Sequence, residues 1–165
     1  MQATPLTEFM QTNPEGTLEE IAARYAVPLQ SVIEALPERT LVSGRQFDAV
    51  WDAITGWGEV TTLVNNPDII LEFHGALPSG HHGHGYFNLR GQKGLSGHIK
   101  ASHCQRIAFV ERPFMGMATA SVIFLNAPGQ AMLKIFVGRD SHHQLLPDQL
   151  TAFRQLAEAL QQGEK

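Results

Sequence analysis

Apolar residues recur every third or fourth position through the first third of the chain and about every second position through most of the remainder. Helices should therefore come first and strands after them. Leu18, Ile21, Ala22 and Tyr25 make one helical stripe, Leu29, Val32, Ile33 and Leu36 a second, and Phe47, Val50, Trp51 and Ile54 a third. Local punctuation agrees with these stripes. A short first helix over Thr4–Met10 has Thr4 as N-cap, Pro5 at its first turn and Asn13-Pro14 beyond its end. Thr17 and Glu20 form a capping box ahead of the second helix. Pro28 and Pro37 bracket the third, and Gly56 closes the fourth.

Seven runs with strand texture follow: Val60–Val64, Ile69–Leu77, Tyr86–Arg90, Leu95–Ser102, Gln105–Glu111, Met117–Leu125 and Ala131–Val137. Turn signals such as Asn-Pro, Pro-Ser-Gly, Gly-Gln-Lys-Gly and Ala-Pro-Gly separate them. A final helix from about Pro147 to Gln161 would bury Leu150, Phe153, Ala157 and Leu160. Consecutive strands with short connections make an antiparallel sheet or half-barrel flanked by helices, so the expected class is α+β. Residues 1–40 form a small three-helix subdomain in this reading, and residues 41–165 an α+β domain that carries the chemistry.

Size and composition narrow the options. The 165 residues, 43% of them hydrophobic, suffice for one core and a small appendage but not for two large domains. The chain has neither a long uncharged apolar run nor the basic start and apolar centre of an export signal, so a soluble cytoplasmic protein without membrane contact is expected. Cys104 is the single cysteine and allows no internal disulfide.

Charge excludes one tempting function. Thr17–Leu36 has the helix, turn and helix of a DNA-binding motif, yet residues 1–40 hold only Arg24 and Arg39 against six glutamates. The helix that would enter the groove has no lysine or arginine. Since phosphate neutralisation dominates DNA affinity, no nucleic-acid partner is expected. Residues 41–165 are neutral overall, but Arg90, Lys93, Lys100, Arg106 and Arg112 crowd a window in which Glu111 is the only acid. That window suits an anion.

Candidate chemistry concentrates in residues 83–101, two short β-type runs joined by a glycine turn. If Leu95–Ser102 is extended, His98 and Lys100 share a face about 7 Å apart. A metal-ligating imidazole would then stand beside a carboxylate anchor. Haem needs that pairing together with apolar walls. Phe87, Phe109, Phe114, Met115, Met117, Phe124 and Phe136 are available as walls, with ordinary sheet core as their plainer use. His81, His82 and His84 fall in what looks like a flexible glycine-rich loop. His74 would share a strand face with Glu72, and His142 and His143 precede the last helix in exposed positions. His103 and Cys104 are adjacent and should face opposite ways along a strand. The sequence shows no Ser-His-Asp arrangement, no phosphate loop, no paired catalytic carboxylates and no flavin or nicotinamide fingerprint.

Several blocks also resemble one known family. They are Ile70-Leu71-Glu72-Phe73, Gly75-Ala76-Leu77-Pro78-Ser79-Gly80, Gly85-Tyr86-Phe87-Asn88-Leu89-Arg90-Gly91, Leu95-Ser96-Gly97-His98-Ile99-Lys100, Phe109-Val110-Glu111-Arg112-Pro113-Phe114 and Lys134-Ile135-Phe136-Val137-Gly138-Arg139-Asp140. In this order they resemble the HutX/ChuX-type cytosolic haem carriers. The resemblance implies an intracellular haem-binding homodimer of bacterial iron acquisition that carries or buffers haem. It places the family's histidine on His98 as metal ligand, the residue to which strand alternation also points; Arg90 and Lys100 are the cations expected from the residues themselves to hold propionates. A second histidine that family members can carry appears here as Asn65-Asn66, and an amide is a poor iron ligand. Five-coordinate haem, or a sixth ligand such as water or His74, then follows. The alternatives are a haem-degrading oxygenase and a protein that docks a larger haem-processing partner of the same pathway.

Overall fold

The structure, a computed structural model, describes residues 4–164. Three short helices open it: α1 (Leu6–Met10), α2 (Leu18–Tyr25) and α3 (Leu29–Glu34). The Thr17 hydroxyl caps α2 by accepting from the Glu20 N–H at 3.0 Å, one half of the expected capping box, and Ala26 ends α2 in the left-handed region at φ 54°. β1 (Arg39–Ser43) and α4 (Phe47–Thr55) follow, then β2 (Glu59–Asn65) and β3 (Ile70–Ala76). Next come the short strands β4 (Gly80–Gly83), β5 (Tyr86–Leu89) and β6 (Gly97–Ile99). The long strands β7 (Cys104–Phe114), β8 (Met117–Asn126) and β9 (Ala131–Phe136) lead to α5 (Pro147–Gly163).

The α+β class and the flanking helices are as expected, but the strands number nine and divide into two antiparallel sheets. The larger has the order β1-β7-β8-β9-β2-β3, the smaller β4-β5-β6. Two strands escaped the sequence reading. β1 pairs with β7 through Leu41↔Ala108 and its neighbours, and the boundary expected at residue 40 falls within it. β4 is the His-Gly tract expected to be a loop. His84 (φ 54°) and Gly85 (φ 84°) make a two-residue turn joining β4 to β5, and two positive φ values match the right-handed strand twist. Conversely, the strand expected over Leu95–Ser102 shortens to Gly97–Ile99, because Gly94 (φ 101°) precedes it and a 3₁₀ turn over Ala101–His103 follows.

Each face of the large sheet has its own core, which follows from the period-two alternation of β7 and β8. Ala108, Val110, Ile123 and Leu125 pack under α1–α3, against Met10, Ile21, Val32, Ile33 and Leu36. Ile107, Phe109, Val122 and Phe124 face the other way, against α4, α5 and the small sheet. Phe47 links these layers, with ring centroids 5.7 Å from Trp51, 5.2 Å from Phe87 and 5.3 Å from Phe124. The Trp51 indole N–H donates to the Pro78 carbonyl at 2.9 Å, fixing the entry to the small sheet. Each fully buried aromatic of this cluster stabilises the fold by about 1.5–3 kcal/mol. Among the described residues no helix is long and apolar enough to cross a membrane.

Candidate ligand-binding site

The small sheet has one covered and one open face. Phe87, Leu89 and Ile99 point toward the aromatic core, so their alternates in β5 and β6 point outward. Cross-strand register then lines up His81, Asn88 and His98 across all three strands. His98 and Lys100 remain on the same outer face although the strand between them is short. The Tyr86 ring reports this, lying 5.8 Å from the His98 ring and 5.4 Å from the Lys100 Nζ. At the other edge, Arg90 Nε donates to His81 Nδ1 at 3.1 Å.

Hydrogen bonds hold this face still without neutralising its charge. Asn88 Nδ2 lies 3.2 Å from the His81 carbonyl, 3.1 Å from that of Gly83 and 3.3 Å from that of Tyr86, while its Oδ1 meets His98 Nδ1 at 2.6 Å. Among the described residues neither Arg90 nor Lys100 forms an ion pair. An open face with two cations lacking acidic partners, two imidazoles and a phenol can take an anionic, metal-bearing ligand. Iron accepts imidazole or phenolate as an axial donor, and guanidinium and ammonium groups hold carboxylates.

Not every residue expected at the site is there. Phe87 is 6% exposed and Phe109 2%, both inside the core. Phe109 packs on Phe153 of α5 at 5.4 Å and cannot serve as an open wall. Met115 is not in a strand but at the tip of the β7–β8 hairpin, 79% exposed, with φ 51°. The eleven residues of β7 separate that tip from the end where the small sheet attaches, about 35 Å of chain. Asn65 faces away from the small sheet altogether, on the opposite side of the large one. Within one chain, therefore, Asn65 and His98 do not meet.

Asn65 lines a different space. A cavity of about 230 Å³ lies between α2 and the large sheet, with Leu18, Leu63, Ile123 and Phe136 among its walls. A neighbouring groove of about 530 Å³ shares Leu63, Glu72, Phe114, Thr119 and Phe136 with it. Two buried cations border the cavity, and both are engaged. Arg112 donates to the carbonyls of Gly16 at 3.1 Å and Pro14 at 2.9 Å, and Lys134 pairs with Glu19. Burial pulls the pKa of the Arg112 guanidinium down, with Glu19 acting in the opposite direction. In the groove, His74 Nδ1 meets the Thr61 hydroxyl at 2.9 Å and its Nε2 lies 3.5 Å from Glu72.

Tyr86, Asn88 and His81 were missed as members of the site because only strand register makes them neighbours of His98. His82 lies on the other face of β4 and stays exposed, with Nε2 2.8 Å from Asp48 Oδ1. Among the described residues no group of three or more His, Cys, Asp or Glu side chains is placed to hold a metal ion.

Comparison with known proteins adds independent findings. A family model described as haem utilisation ChuX/HutX matches residues 40–156. The intracellular heme transport protein HutX of Vibrio cholerae serotype O1 (strain ATCC 39315 / El Tor Inaba N16961) is 31% identical over 163 residues, covering 97% of this chain and 82% of that protein. The structure of the heme-binding protein ChuX superposes with a TM-score of 0.90 at 57% identity, over 94% of this chain and 99% of its own. ChuS, an E. coli heme oxygenase, superposes at 0.73 over 96% of this chain and 48% of its own, and at 13% identity the likeness is one of fold alone.

Proposed function

Since the chain belongs to the haem utilisation ChuX/HutX family, we propose that it is an intracellular haem-binding protein that carries or buffers haem taken up for its iron. One observation carries this reading to particular residues. His98, Arg90 and Lys100 share an open face on which the two cations have no acidic partner among the described residues. The His98 imidazole would supply the nitrogen donor to iron and Arg90 and Lys100 would hold the propionates, with the Tyr86 ring packed against both His98 and Lys100 on the same face.

Carriage rather than turnover is favoured by the shape of the face. An oxygenase must shelter an oxygen-binding side and receive electrons, whereas a flat, solvent-open sheet needs only a pocket edge and an off-rate. HutX and ChuX are named as transport and heme-binding proteins, which points the same way. A second copy of the chain is the natural cover for the β3 edge, where Val64 is 47% exposed, Ile69 48%, Ile70 65% and Leu71 62%. The working form is then a cytoplasmic homodimer.

Haemin titration tests the assignment. A saturable Soret shift at one haemin per chain is expected, and His98→Ala should weaken binding at least about tenfold, in line with the cost of disturbing a metal's surroundings. An unshifted Soret band in the wild-type protein would end the haem reading. Adding ascorbate and catalase under air should leave the bound spectrum in place. Bleaching with release of iron would make the protein an oxygenase instead.

A further inference from the structure

We infer that Asn88 is a positioning residue that selects the tautomer of His98, keeping the proton on Nδ1 and the lone pair on Nε2. The argument begins with the amide. Its Nδ2 faces three backbone carbonyls, those of His81, Gly83 and Tyr86, at 3.1–3.3 Å. A carbonyl oxygen only accepts, so the end of the side chain that meets all three must be the NH₂ group. Turning the amide over would set its oxygen against three others. The orientation of Asn88 is thus dictated by the backbone of β4 and by Tyr86 at the start of β5, independently of any ligand.

The consequence passes to the imidazole. With NH₂ committed to the backbone, Oδ1 is the atom that faces His98, at 2.6 Å from Nδ1. Amide oxygen cannot donate, so Nδ1 must carry the hydrogen, and a neutral ring then has its lone pair on Nε2. A solvent-exposed imidazole left to itself prefers the opposite tautomer, with the hydrogen on Nε2. Asn88 therefore sets on an open surface what metal-ligating histidines usually receive from a carboxylate or carbonyl behind them. The identity of the metal rests on the haem-carrier reading; the tautomer does not.

Two variants separate positioning from mere support of the hairpin. Asn88→Asp keeps an acceptor for Nδ1 but sets its other oxygen against the three carbonyls, so it supports the hairpin less well than alanine does while still facing His98. Asn88→Ala loses both the acceptor and the donor. In long-range proton–nitrogen correlation spectra of the haem-free, nitrogen-15-labelled protein at pH about 8.5, where an ordinary imidazole is neutral, the wild type and Asn88→Asp should report the Nδ1–H form of His98. Asn88→Ala should shift toward Nε2–H and bind haemin about 10–100-fold more weakly, with Asn88→Asp between it and the wild type. Finding Nε2–H in the wild-type protein, or an unchanged tautomer in Asn88→Ala, overturns the inference. A His98→Ala variant with wild-type haemin spectrum and affinity would instead overturn the haem reading at His98, and the tautomer spectra would still decide the role of Asn88.

Discussion

Arg90 and Lys100 on the small sheet, and Arg112 and Lys134 beneath α2, are the same kinds of side chain in opposite circumstances. The first pair is exposed and makes no ion pair among the described residues. The second pair is buried, at 8% and 7% exposure, and is held by the Pro14 and Gly16 carbonyls and by Glu19, with the Arg112 Nε left without a partner. A buried charge must be satisfied by the protein itself, so it works as a fastener. An exposed charge with unspent donors stays available to something that arrives. In the sequence, Arg112 fell in the same basic window as Arg90 and Lys100, and only burial separates their roles.

Removing a fastener gives the largest effect. Arg112→Met leaves two carbonyls of the α1–α2 connection without a donor, and should lower unfolding stability by roughly 2–4 kcal/mol in urea titrations. Haemin affinity of the folded fraction should not move. A stability loss below about 0.5 kcal/mol, the usual range for surface changes, would dissolve the contrast between the two regions.

The covered side of the molecule should also be chemically quiet. Cys104 is 6% exposed, and burial pushes its thiol up from 9.0 to about 11. The folded protein therefore keeps that proton where the unfolded chain gives it up. This contribution to stability is complete below pH 9 and declines as pH rises from 9 to about 11, by at most about 3 kcal/mol. At pH 8 a disulfide reagent should label Cys104 only after urea is added. Rapid labelling of the native protein would show that the core beside the small sheet opens readily, and the division into closed and open sides would weaken.

What could be anticipated follows the reach of each signal. The N-cap at Thr17 and the helical stripe of Phe47, Val50, Trp51 and Ile54 are local, and both appear as expected, although only the Thr17 half of the capping box is formed. Alternation is local too, which is why His98 and Lys100 could be placed on one face before the strand's true length was known. Register is not local. That Asn88 lies between His81 and His98, or that Tyr86 spans His98 and Lys100, depends on how three strands align. Coverage is equally non-local: Phe87 and Phe109 look like pocket walls until α4 and α5 are seen to occupy the space in front of them. The His-Gly tract hid β4 because glycine lowers strand propensity, while cross-strand pairing to Tyr86–Leu89 overrode it.

The smallest effect belongs to the open face, and it sharpens the comparison most. Arg90→Ala and Lys100→Ala should leave unfolding stability within about 0.5 kcal/mol, since neither side chain holds a carboxylate in the free protein. Their cost should appear only with haemin, and each should be small, about 0–1 kcal/mol, because a solvent-exposed ion pair gains little. Salt distinguishes this weak but real contribution from none. Raising ionic strength from 0.01 to 1 M shortens the screening length from about 30 to 3 Å, so wild-type affinity should fall while the double variant's affinity stays nearly constant. Equal salt dependence in the two proteins would mean that the propionates are held elsewhere, and that unpaired cations on this face are ordinary solvated surface.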